Sequence, residues 1–129
     1  MSKKILVIDD DKGVAMVLKE MLESVMPDFQ VDVILRFSLG MEKAKSAEIC
    51  GYSAVLLDGQ IDAGHGYDIA EALRANSYKG IIFSIAGRAL CDAVPEKKRW
   101  LYNGSYQKPV PFHELAGELL DVWLREDED

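Results

Sequence analysis

Two periodicities alternate along the chain. Continuous apolar runs at about Lys4 to Ile8, Ala54 to Leu57 and Gly80 to Ile85 have no polar residue at every second place, the pattern of strands buried on both faces. A further strand is predicted at about Gln30 to Leu35, and a fifth at Ser105 to Gln107. Between these runs the apolar positions recur at helical spacing. Val14, Val17, Leu18, Met21, Leu22 and Val25 mark the buried stripe of a first helix that Pro27 closes. Ser38 is placed to cap a second helix reaching about Ile49, with Leu39, Met41 and Ala44 on its inner face. A loop from Gly59 to Gly66 leads into a third helix, Tyr67 to about Ala75. From Arg88 to Trp100 the pattern predicts a short or interrupted helix, because Pro95 cannot continue one. A turn at Lys108 and Pro109 precedes a last helix, about Pro111 to Leu124, with Leu115, Leu119, Leu120 and Trp123 on its apolar face.

Strand and helix thus alternate five times without a repeat, which predicts one three-layer α/β sandwich with a parallel sheet and right-handed crossovers. A chain of 129 residues suits a single domain, expected over residues 1–125, followed by an acidic tail at 126–129.

Composition narrows the function classes. With 49% hydrophobic and 29% charged residues, the chain reads as soluble and globular. Of the net charge of −7, the closing acids Glu126, Asp127, Glu128 and Asp129 supply −4, leaving −3 for the body. An acidic body without a Lys/Arg stripe argues against direct nucleic-acid binding, and Lys97, Lys98 and Arg99 are too few to reverse that. Cys50 and Cys91 lack metal-ligand spacing and read as reduced, small packing residues. No apolar run has the length of a membrane span or the form of a signal-peptide core, so a cytoplasmic location without membrane insertion is expected.

The candidate chemistry lies at the strand ends. In an open α/β sheet ligands bind beyond the carboxyl ends of the strands, so Asp9 and Asp10, Asp58, Ser84 and Lys108 are expected to converge there. Three carboxylates offer hard oxygen ligands suited to Mg2+, and without positive charge they repel one another. Lys108 supplies one flexible cation and Ser84 a hydroxyl donor. An Asp carboxylate can attack phosphorus to form an acyl phosphate when neighbouring cations neutralise the transferring group. Asp11 reads as the N-cap of the first helix, and His65 and His113 as surface residues. Gly59, Gly64 and Gly66 lack the following Lys-Ser/Thr of a P-loop and are read as turn residues.

This constellation resembles the receiver domain of bacterial two-component response regulators over nearly the whole chain. The residues that carry the likeness are Ile5-Leu6-Val7-Ile8-Asp9-Asp10-Asp11, Ala54-Val55-Leu56-Leu57-Asp58, Gly66-Tyr67, Ser84 and Lys108-Pro109. The resemblance implies a flavodoxin-like (βα)5 fold with sheet order 2-1-3-4-5. It implies that Asp58 accepts a phosphoryl group from a histidine kinase or phosphotransfer protein and that the change is passed to a downstream protein. Asp10 and Asp58 would bind Mg2+ directly, Asp9 through water, and the backbone carbonyl of Gln60 would add a ligand, unless Gln60 is only an exposed loop amide. Ser84 and Lys108 would contact the phosphoryl oxygens. Such a chain is a signalling domain, not a turnover enzyme.

The chain also departs from the family pattern. Ile61 and Asp62 stand where Met-Pro is usual after the phosphoacceptor, which predicts a looser loop. Ile85 follows Ser84 where a small residue is usual, which predicts restricted access. Ser105 takes the place of the family's switch aromatic, and Tyr106, one residue later, points to the opposite sheet face. These departures leave open a pseudo-receiver that works by binding alone. A haloacid-dehalogenase-like phosphatase, with Asp9 as nucleophile and Asp11 as acid, is a weaker alternative. Gly13 occupies its Thr/Val position, and no late acidic pair follows Lys108 before the tail.

Overall fold

β1 (Lys3–Ile8), β3 (Ala54–Asp58) and β6 (Ile81–Ala86) form the middle of a parallel five-stranded sheet, where their Ile, Val, Leu and Phe side chains are buried on both faces. β2 (Phe29–Ile34) and β7 (Gly104–Gln107) are the edges, and their alternate positions reach solvent. In this computed structural model, which describes residues 3–127, the sheet order is β2-β1-β3-β6-β7. A separate antiparallel hairpin, β4 (Gln60–Ile61) with β5 (Gly64–His65), interrupts the numbering. Setting it aside gives the expected flavodoxin-like order 2-1-3-4-5.

Strand alternation divides the core into two layers. Ile5, Val7, Ala54, Leu56, Phe83 and Ile85 face α1 (Lys12–Val25) and α5 (Phe112–Asp127), against Leu18, Leu22, Leu115, Leu119 and Trp123. Leu6, Ile8, Val55, Leu57 and Ile82 face α2 (Phe37–Ala44), α3 (Gly66–Ala75) and α4 (Leu90–Ala93), against Ala44, Ile69, Leu73 and Val94. The interrupted helix is as expected. α4 stops before Pro95, and a 3-10 turn over Glu96–Leu101 follows. Arg99 closes the break by donating to the carbonyls of Val94 at 3.0 Å and Cys91 at 2.9 Å. Arg74 fixes the start of β6 by donating to Tyr78 O, Gly80 O, Leu101 O and Asn103 Oδ1, and Asn103 Oδ1 also accepts from Ile82 N.

Several expectations are corrected. α2 begins after Arg36 rather than at a Ser38 cap and ends at Ala44, and Ala47–Gly51 forms a 3-10 turn. The Ser46 hydroxyl donates to Lys43 O at 2.7 Å, offering the chain an alternative to further helix. Ala44 and the partly buried Met41 pack inward as expected, and Gly40 joins them on the inner face, because the helix lies so close to the sheet that a Cβ on Gly40 would meet Ile8 at 3.0 Å. Leu39 is consequently 52% exposed. In α1 the stripe is Ala15, Leu18 and Leu22, while Val17 and Met21 are exposed. Both cysteines are free and exposed rather than packed. The last helix continues through Glu126 and Asp127, so half of the acidic tail is helical; Glu128 and Asp129 lie outside the described residues.

Candidate functional site

The carboxyl end of the sheet gathers Asp9, Asp10, Asp58 and Lys108. Asp9 closes β1, its N–H bonded to Ile34 O at 3.1 Å, and it is fully buried. Its Oδ1 accepts from the Asp11 N–H at 2.9 Å. Asp9 Oδ2 has no well-aligned hydrogen bond and instead meets Lys108 Nζ at 2.8 Å. Asp58 ends β3, accepts from the Gly59 N–H at 2.8 Å and lies 3.2 Å from the same ammonium. Lys108 lies just past β7, held by its backbone N–H to Ala86 O at 2.7 Å, and its side chain reaches both acids; the Lys108–Pro109 peptide is cis.

These contacts set the electrostatics. Burial, with the charge of Asp9, pushes the Asp58 carboxyl up to about 6, and Lys108 opposes the rise. Burial also pulls Lys108 down, but its pairing with Asp9 and Asp58 outweighs that and holds it above the ordinary lysine value. Asp9, Asp10 and Asp58 each present an oxygen within 4.8 Å of the others. That all-oxygen donor set fits Mg2+.

Asp11 is the N-cap of α1, accepting from Val14 N at 3.2 Å. Asp11 is thus engaged as a cap at the surface, and Asp9 is fully buried. Gln60 is exposed on the hairpin opposite His65. Gly66 is required where it stands: a Cβ there would lie 2.1 Å from the backbone oxygen of Asp58, and its N–H is bonded to Gly59 O.

Ser84 does not join the cluster. In β6 it pairs with Leu57 and lies on the α2/α3/α4 face, whereas Asp58 pairs with Ile85, and both of these belong to the opposite face. The residue beside Asp58 on the neighbouring strand is therefore a buried Ile, not a hydroxyl. The register decides this: Asp58 is the fifth residue of Ala54–Asp58, Ile85 is the fifth of Ile81–Ala86, and the parallel ladder pairs the two strands from their first residues. Ile85 thus packs into the core. Access to Asp58 runs past Ala86, through a cavity of about 530 Å³ that also touches Gln60, Tyr67 and Arg88.

Tyr106 takes the expected face, paired with Ile85 and edge-on to Phe83 at 5.7 Å, and its hydroxyl donates to Glu118. The loop after Asp58 is not loose. The hairpin shapes it, Asp62 adopts φ 55°, and the Asp62 N–H donates to Asp10 Oδ2 at 2.7 Å. Its carboxylate accepts from Phe37 N at 2.9 Å and Arg36 Nη1 at 3.3 Å.

Compared by sequence alone, the chain matches no family model and no curated protein. Compared by structure, it is similar to a CheY-like response regulator receiver domain from Methylobacillus flagellatus, with TM-score 0.79 and 20% identity over 95% of this chain and 99% of that one. A response regulator receiver domain from Clostridium thermocellum gives TM-score 0.80 and 19% identity over 97% of both chains. The BeF3-activated receiver domain of DrrB, a Thermotoga maritima protein, gives 0.76 and 19% over 97% and 99%. Identities this low speak for architecture, and by that measure the chain has the fold of response-regulator receiver domains.

Proposed function

We propose that this is a cytoplasmic phosphoacceptor signalling domain, in which Asp58 takes a phosphoryl group from a histidine kinase or phosphotransfer protein and an altered surface then engages a downstream protein. The observation that carries the reading is Lys108 Nζ standing 2.8 Å from Asp9 and 3.2 Å from Asp58, at the open end of a parallel sheet of receiver type. A carboxylate oxygen of Asp58 attacks phosphorus, and the bond to the donor breaks with its electron pair leaving on the donor. Lys108 is positioned to neutralise phosphoryl oxygens as they arrive. Asp10 and Asp58, with Asp9 through water and the Gln60 carbonyl, are the residues that would hold Mg2+, and the ion would supply further neutralisation of the transferring group. The exposed Val17 and Met21 line an apolar groove with Pro109 and Phe112 immediately beside Lys108, which suits docking of a protein donor. No helix of the described residues is long and apolar enough to cross a membrane.

One observation favours a second reading. Ile85 stands beside Asp58 where a hydroxyl would help hold the phosphoryl group, as in a pseudo-receiver that binds partners with weak phosphorylation or none. Mass spectrometry after treatment with acetyl phosphate and Mg2+ separates the two. The phosphoacceptor reading requires one added phosphoryl group on the wild type and none on Asp58→Asn. An unmodified wild type gives the pseudo-receiver.

A further inference from the structure

We infer that Asp62 is a positioning residue: it orients Asp10 toward the cation and ties occupancy of that site to the first turn of α2. The inference rests on the phosphoacceptor reading above, in which Asp10 is a cation ligand.

Asp10 is exposed, and an exposed carboxylate exchanges among rotamers unless something holds it. Here the Asp62 N–H holds Oδ2 at 2.7 Å and leaves Oδ1 for a cation. Proline, usual at this place in the family pattern, has no N–H to give, and its fixed φ near −65° cannot meet the 55° of Asp62. An Asp tolerates that left-handed conformation better than most residues.

The other end of Asp62 is anchored too. Arg36, the residue preceding α2, makes no side-chain cap, so the first N–H groups of the helix need outside acceptors. Asp62 Oδ2 accepts one of them, Phe37 N, at 2.9 Å, and Oδ1 meets Arg36 at 3.3 Å. A carboxylate suits a helix N-terminus electrostatically. The Phe37 ring also fills the space over Gly64, where a Cβ would lie 2.4 Å from it. Hairpin and helix therefore move as one, and a cation that draws on Asp10 perturbs the Asp62 N–H and, through the carboxylate, the Phe37 amide.

The test is Mg2+ titration of the full chain by calorimetry and by amide NMR, with no phosphoryl donor present. Wild type binds Mg2+ and its Phe37 amide resonance shifts in step with binding. Asp62→Ala keeps the backbone N–H but loses the carboxylate that fixes it in place, so it binds about tenfold more weakly, at the lower end of what disturbing an outer-shell partner costs, with the Phe37 shift abolished. Asp62→Asn, which keeps an acceptor for Phe37 N, recovers most of the affinity. Equal affinity in wild type and Asp62→Ala, or a Phe37 amide that stays still as wild type saturates, overturns the inference while leaving the phosphoacceptor site intact. The wild-type Phe37 readout decides even if Asp62→Ala fails to fold. A wild type that binds no Mg2+ removes both readings together.

Discussion

Asp58 and Ile85 are lateral partners in the β3–β6 ladder, their side chains on the same face of the sheet. The acid that closes one strand thus has an aliphatic neighbour, while the hydroxyl of Ser84 faces the other layer. Ile85→Thr places a hydroxyl beside Asp58. Labelling by acetyl phosphate and Mg2+, followed by mass spectrometry, is expected to accelerate on the order of tenfold, a modest share of what one well-placed donor supplies. The same substitution puts a polar group in the core and costs roughly 1–3 kcal/mol in denaturant titration. Ser84→Ala leaves labelling unchanged, and a slowed Ser84→Ala would place the working hydroxyl there after all.

The pH dependence of metal-free stability reports the strain on Asp58. Its folded value of about 6 lies above the ordinary 3.8, so the folded chain holds a proton that the unfolded chain releases earlier. Stability therefore falls as pH rises from about 4 to about 6, and the loss is complete above that. Asp58→Asn removes the penalty. In chelator at pH 7.5 it is expected to be more stable than wild type by up to about 2 kcal/mol, a gain that vanishes near pH 4. Saturating Mg2+ reverses the order, because the wild type, with all three carboxylates, gains more from the ion. Thermal melts at the two pH values check both signs.

Lys108 holds the cluster together when no metal is bound. Lys108→Met keeps the length of the side chain but leaves Asp9, fully buried, without its cation. Breaking a buried pair in this way costs roughly 3 kcal/mol, seen as a lower urea midpoint in chelator. Added Mg2+ recovers part of the loss while labelling of Asp58 stays abolished. A variant as stable as wild type in chelator would mean that Lys108 is not what compensates the buried Asp9 carboxylate.

The five-strand alternation and the convergence of Asp9, Asp10, Asp58 and Lys108 were legible because each depends on a run of like residues or on a strand end. What escaped depended on contacts between elements. Chain order points to Ser84, and only the lateral register of two strands puts Ile85 in its place. Leu39 looked like a core residue by spacing, but the close approach of α2 to Ile8 gives the inner face to Gly40 and Ala44. Asp62 and three nearby glycines suggested a loose loop. Hydrogen bonds reaching 25 residues back to Phe37 and 52 back to Asp10 hold it instead. No local pattern encodes partners at such separations.

Two glycines with opposite surroundings test how tightly the site backbone is determined. Gly66 begins α3 directly under the end of β3, and its missing side chain is what lets the helix start against Asp58. In Gly66→Ala the new methyl would sit 2.1 Å from a backbone oxygen, which no rotamer change can relieve. Either α3 or the Asp58 peptide must shift, so a loss of at least about 3 kcal/mol is expected, with impaired Mg2+ binding. Gly117, exposed within α5, has nothing within 4 Å of the corresponding position. Gly117→Ala should therefore stabilise the chain by about 0.5–1 kcal/mol through helix propensity alone, leaving Mg2+ affinity untouched. If both variants were equally stable, the close packing of α3 beneath Asp58 would be wrong, and with it the account of how that carboxylate is aimed.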